Sequence, residues 1–130
     1  MRKTLVFIMT IVLCLAMTAC GKYNSHYTSI VLITRSSSDE AYMHFGSFNG
    51  TNVFKVKSTD KKNELRYSAE LGEGSMTVYY DDDGTKKELF TINGGEKIEE
   101  TTIELETGTT YLIFESDGNC KDGTFEFEIV

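Results

Sequence analysis

The chain has 130 residues, 40% of them hydrophobic and 25% charged, and a formal net charge of −7. That length holds one domain, the composition is that of a folded chain and not of a disordered tail, and the acidic excess excludes a nucleic-acid partner, which would need surplus Lys and Arg to neutralise phosphates. Pro and Trp are absent while 11 Gly, 7 Tyr and 8 Phe are present, so glycine must mark the turns and Tyr and Phe must fill the core.

The N-terminus has its own chemistry. Arg2 and Lys3 supply a positive start, Leu5 to Met17 is apolar except for Thr10, and Thr18 and Ala19 provide a small-residue exit. This is the pattern of a secretory signal, and the apolar run is shorter than the ~20 residues a spanning helix needs. Met17-Thr18-Ala19-Cys20 resembles the lipobox of bacterial lipoproteins, with Met17 where Leu is commonest. The resemblance implies diacylglycerol on the Cys20 thiol, cleavage before Cys20 and further acylation of the new N-terminus. Two or three acyl chains anchor stably where one anchors marginally.

The expected organisation is a signal over 1–19, a lipidated Cys and polar tether over 20–28, and a domain over 29–130 on the extracytoplasmic side of the cell membrane. Cleavage removes Arg2 and Lys3 and no carboxylate. The remainder is therefore still more acidic and is repelled by anionic headgroups, so attachment rests on Cys20 alone. Cys14 leaves with the signal and Cys20 is used for lipid. Cys120 then has no disulfide partner, and it reads as an incidental loop thiol.

Beyond the tether the hydrophobic period is two, not 3.6. Val53 to Lys57, Leu65 to Leu71, Thr101 to Glu106 and Thr124 to Ile129 alternate. Ile30 to Ile33 and Tyr111 to Phe114 are unbroken apolar runs, as expected for strands buried on both faces. Residues 36–44 leave room for one helical turn. Asn49-Gly50, Gly72 to Gly74, Asp83-Gly84, Asn93 to Gly95, Asp117-Gly118 and Asp122-Gly123 are turn signals. Eight or nine short strands at such spacing predict an all-β antiparallel sandwich.

Gly108 to Phe114 followed by Gly123 to Ile129 resembles the last hairpin of jelly-roll β-sandwich domains of bacterial secreted proteins, which favours a sandwich over a barrel. Residues 70–84 are echoed by 104–118: Glu70-Leu71, Gly74, Val78, Tyr80 and Asp83-Gly84 return as Glu104-Leu105, Gly108, Leu112, Phe114 and Asp117-Gly118. The two stretches should occupy similar places in the fold.

Little in the sequence carries chemistry. Asp81, Asp83, Asp117 and Asp122 are candidate Ca²⁺ ligands, because Ca²⁺ takes six to eight oxygens. Neither loop has the glycine position of a calcium loop, so the expectation is solvated turns and no metal or other cofactor. His26 falls in the tether and His44 in a strand, and no HExxH or GxSxG is present. Glu99-Glu100 with Glu104 and Glu106 suggests a carboxylate pair only until their alternation places Glu104 and Glu106 on a wetted face. A non-catalytic binding or structural module is expected, with an envelope protein or a glycan as partner; the alternative is a glycan-binding module or an accessory subunit of an envelope enzyme, with Ca²⁺ at the Asp-rich turns. For a glycan the available rings are Tyr23, Tyr42, Tyr79 and Tyr80. Tyr79 shares parity with Thr77 and is the exposed candidate, whereas Tyr80 follows Val78 into the core.

Overall fold

A computed structural model describes residues 23–130; the signal, the lipobox and Cys20 lie outside the described residues. The strands are β1 (His26–Ser36), β2 (Glu40–Ser58), β3 (Glu64–Glu73), β4 (Ser75–Asp81), β5 (Lys87–Asn93), β6 (Lys97–Glu104), β7 (Gly108–Ser116) and β8 (Cys120–Ile129). All pair antiparallel. The tether ends earlier than expected, because residues 26–28 already belong to β1.

The architecture is one sheet of long ribbons folded over on itself. β2 pairs with β8 over Glu40–Phe48 and with β7 over Thr51–Ser58. β3 and β4 follow the far edges of β8 and β7, and β6 and β5 follow those of β3 and β4. One layer is therefore β1, the first half of β2, β8, β3 and β6; the other is the second half of β2, β7, β4 and β5. The ribbons turn the corner at Gly50, Gly74, Gly95 and Gly118, all with positive φ. Beyond the corner the halves of β2 return toward each other, and Lys57 N donates to Ser38 O at 2.6 Å. The result is a jelly-roll-like antiparallel β-sandwich of eight strands, as the alternation predicts.

Asn49-Gly50 is therefore not a hairpin turn but the corner within β2. A side chain at Gly50 would collide with the backbone of His26 and Tyr27, so glycine is what lets β1 approach there. Asp122-Gly123 also lies inside a strand, β8. Residues 36–44 hold no helical turn: Ser37 N bonds Glu40 O at 3.0 Å and β2 begins at once. β6 stops at Glu104, so Glu106 is not strand; its N–H donates to Asp82 Oδ2 at 2.9 Å.

The core is aromatic, as the composition requires. Phe114 of β7 meets Phe125 and Phe127 of β8 edge-on across the two layers, with centroids 5.6 and 5.3 Å apart, and Phe90 of β5 stacks on Tyr67 of β3 at 5.4 Å. Leu112, Ile113 and Phe114 are all buried, as the unbroken run predicts. Ile30 to Ile33 is the opposite case: Ile30, Val31 and Ile33 are exposed because β1 pairs only with β2 and nothing in the described chain packs beyond it. Cys120 is not a loop residue either. It opens β8, fully buried, with Sγ donating to Ser75 O at 3.2 Å.

The echoed stretches each carry the chain from one layer to the other, into the neighbouring strands β4 and β7. These pair Val78 with Phe114 and Tyr80 with Leu112. The crossings lie at opposite ends of the sandwich, since Asp117 N bonds Ser75 O at the start of β4 while Asp81 ends it.

Candidate functional site

Side chains alternate across a strand, so the residues between the buried ones of β2, β3 and β8 share the outer face of their layer. Register lines them up in rows. Arg35, Tyr42, Glu126 and Ser68 form one row across β1, β2, β8 and β3; Glu40, Glu128, Arg66 and Thr102 form the next across β2, β8, β3 and β6. Opposite Ser68, β6 is irregular: Tyr67 pairs with Thr101 but Ala69 with Ile98. A bulge of this kind re-aims side chains, and here Glu100 reaches Arg66 Nε at 3.3 Å.

The rows line an open groove of about 440 Å³. Arg66 spans it, donating to Glu128 Oε2 at 2.8 Å while its Nε faces Glu100. The bond to Glu128, then that carboxylate's charge and more weakly that of Glu100, raise the guanidinium pKa. Across the groove, the Arg35 guanidinium lies 4.6 Å from the Tyr42 ring centroid, a cation–π arrangement that holds both planar groups in place. Beside the groove, His44 Nδ1 and Thr124 Oγ1 are 2.9 Å apart. Chemically the groove offers oriented guanidinium donors, carboxylate acceptors and an aromatic ring.

Of the candidates from sequence, Tyr42 lines the groove; the others lie elsewhere. Tyr79 is on the outer face of the other layer, and Lys86 covers its ring at 4.3 Å. Tyr80 packs against the core. Asp81 is only 2% exposed, not a solvated turn residue; it accepts from Gly84 N and from Tyr23 Oη, both at 2.7 Å. Tyr23 in turn lies edge-on to Tyr111 at 5.3 Å, and burial, then the bond to Asp81, push its phenol up to about 12. Asp83 accepts from Thr85 N and pairs with Lys87.

Lys87 also holds Asp82, and these bonds, Asp82 first, raise its pKa to about 12. Asp117 belongs to the β7–β8 turn at the far end of the sandwich, and Asp122 is within β8. The fold therefore does not gather the four candidate Asp residues, and among the described residues no group of three or more His, Cys, Asp and Glu is placed to hold a metal ion. Local pattern does not single out Arg35, Arg66, Glu126 or Glu128. Outward parity was their one local signal, and it is shared with every solvated strand position.

No protein-family model and no curated protein matches the chain. Among solved structures it is similar to a family 29 carbohydrate-binding module in complex with mannohexaose (13% identity, 82% of this chain and 90% of that one, TM-score 0.40). It is also similar to TmCBM61 in complex with β-1,4-galactotriose (11%, 82% and 81%, 0.41). A third is a cupin-2 domain protein from Shewanella frigidimarina (12%, 83% and 85%, 0.36). The likeness is one of strand architecture.

Proposed function

We propose that the chain is a bacterial lipoprotein, anchored through acylated Cys20 on the extracytoplasmic face of the cell membrane, whose sandwich is a non-catalytic module that binds glycan in the groove between Tyr42 and Arg66. The observation that carries the reading is Arg66 held between Glu128 and Glu100 opposite the Arg35–Tyr42 pair. Vicinal hydroxyls are bound by planar groups that donate or accept two hydrogen bonds at once, and sugar-ring faces are bound by aromatic rings; both are present on one open surface. Carboxylates from Glu40, Glu100, Glu126 and Glu128 outnumber the two guanidinium groups, which favours neutral or amino sugars over acidic polysaccharides.

Titration of the protein against cell-envelope glycans should give saturable binding that Arg66→Ala weakens by about tenfold or more, as expected for loss of charge-assisted hydrogen bonds. Unchanged affinity in a folded Arg66→Ala protein contradicts the groove. For the anchor, Cys20→Ala should release the protein from membranes or leave it uncleaved. Unchanged mass and fractionation contradict it.

A further inference from the structure

The exposed large hydrophobic residues of the described chain all lie on β1: Ile30 is 68% exposed, Val31 65%, Ile33 52% and Tyr27 41%. Such a cluster on one edge marks a contact surface. Resting on the lipoprotein reading above, we propose that this edge of β1 lies against the bilayer, with Ile30, Val31 and Ile33 entering the lipid interface.

Three observations select the bilayer. The first is position. Only Gly21 and Lys22 separate Cys20 from Tyr23, and Tyr23 is docked on Asp81 and Tyr111. The domain is therefore not free on a long tether. Tyr111 pairs with Lys55 beyond the Gly50 corner, and Leu32 pairs with Phe45 before it, so the docked tyrosine and the apolar edge lie at matching heights on the two layers. An acyl anchor at Cys20 brings that side of the sandwich to the membrane.

The second is charge. The first acidic residue of the whole sequence is Asp39. Residues 21–38 carry Lys22 and Arg35 and no carboxylate, in a chain with 20 acidic residues. The remainder of the surface is repelled by an anionic leaflet, whereas this segment is attracted to it. Tyr27 adds a ring of the type that settles at headgroup level.

The third is backbone geometry. An unpaired edge strand is a template for another strand, but Val31 has φ +52° and breaks the flat row of donors and acceptors that strand addition needs. An apolar edge that cannot template a strand suits a fluid partner better than a second copy.

The test uses the full chain, exported and processed in a bacterial host. Because the sequence has no Trp, Ile30→Trp is a single reporter on the edge and Lys97→Trp, on β6 at the far side of the same layer, is its control. Both are bound to vesicles of phosphatidylethanolamine and phosphatidylglycerol with brominated acyl chains. The Ile30→Trp emission should shift to the blue and lose most of its intensity; the Lys97→Trp emission should do neither.

Flotation with the vesicles while Ile30→Trp keeps a water-like, unquenched emission overturns the proposal and leaves the anchor standing. Failure to float, with unmodified Cys20 by mass spectrometry, overturns the anchor and the proposal together. Dimers in detergent solution that Ile33→Ser dissolves assign the edge to a second copy and also overturn it.

Discussion

Val31 and Asp122 flank the same glycine, Gly46, from opposite sides, in β1 and β8, and both hold left-handed backbone angles of +52° and +54°. The pleat inverts along this line. In β2, Ala41, Met43 and Phe45 point inward before it and Phe48, Phe54 and Val56 after it; in β8, Cys120 precedes it and Phe125 and Phe127 follow. Because the strands shift together, each keeps its partner while its inward phase changes.

A β-branched residue is a poor occupant of left-handed space, which costs an L-residue about 1–2 kcal/mol. Asn tolerates it, and Val31 is exposed, so little burial is lost. Val31→Asn should raise stability in urea unfolding by about 1 kcal/mol, with no such gain for Ile33→Asn. Equal effects of the two would contradict the strain at position 31.

Phe45, fully buried, lies directly over Gly123 of the neighbouring strand, where a Cβ would enter the ring. Neither a close-packed ring nor a central strand can retreat far. Gly123→Ala should cost about 1–3 kcal/mol, read as a lower denaturation midpoint at unchanged slope.

Tyr23→Phe removes a donor from a buried carboxylate and should cost about 1–3 kcal/mol. Its pH dependence is specific. The phenol's folded pKa is raised from 10.0 to about 12, so its contribution is complete below the unfolded value and disappears as pH rises through the folded one. The stability difference between Tyr23→Phe and the unaltered protein should shrink between pH 10 and about pH 12. A difference constant across that window would mean the hydroxyl is not docked.

Cys120 is fully buried, and that burial raises its thiol pKa. The thiolate is the reactive species. A disulfide-forming dye should therefore label Cys120 only at the rate of unfolding, and denaturant should accelerate labelling in step with loss of structure.

Much of the sandwich is legible locally because one buried face writes itself as alternation: Leu65, Tyr67, Ala69 and Leu71 in β3, and Phe125, Phe127 and Ile129 in β8, are all buried as their spacing predicts. The phase change in β2 is also present in the sequence, as three steps instead of two between Phe45 and Phe48, with Gly46 between. What local pattern does not reveal is which strand lacks a neighbour. Ile30 to Ile33 and Leu112 to Phe114 read alike, yet one run is a bare edge and the other a central strand.

The groove is less legible for the same reason. Arg66 meets Glu128 and Glu100 only because β3 lies between β8 and β6, and a bulge in β6 turns Glu100 toward it. Tyr42 and Tyr79 are both outward-facing rings. Each has a cation over its ring, Arg35 on Tyr42 and Lys86 on Tyr79, but Tyr42 lines the groove and Tyr79 does not, and only tertiary structure distinguishes them.

Glycan recognition by the outer face of the β2–β8–β3 layer is tested most directly by amide chemical-shift mapping of the intact domain during titration with a bound envelope oligosaccharide. The shifted amides should cluster at Tyr42, Arg66, Ser68 and Glu126, with Tyr79 and Lys86 silent. Shifts centred on Tyr79 and Lys86, or spread evenly over both layers, would contradict it.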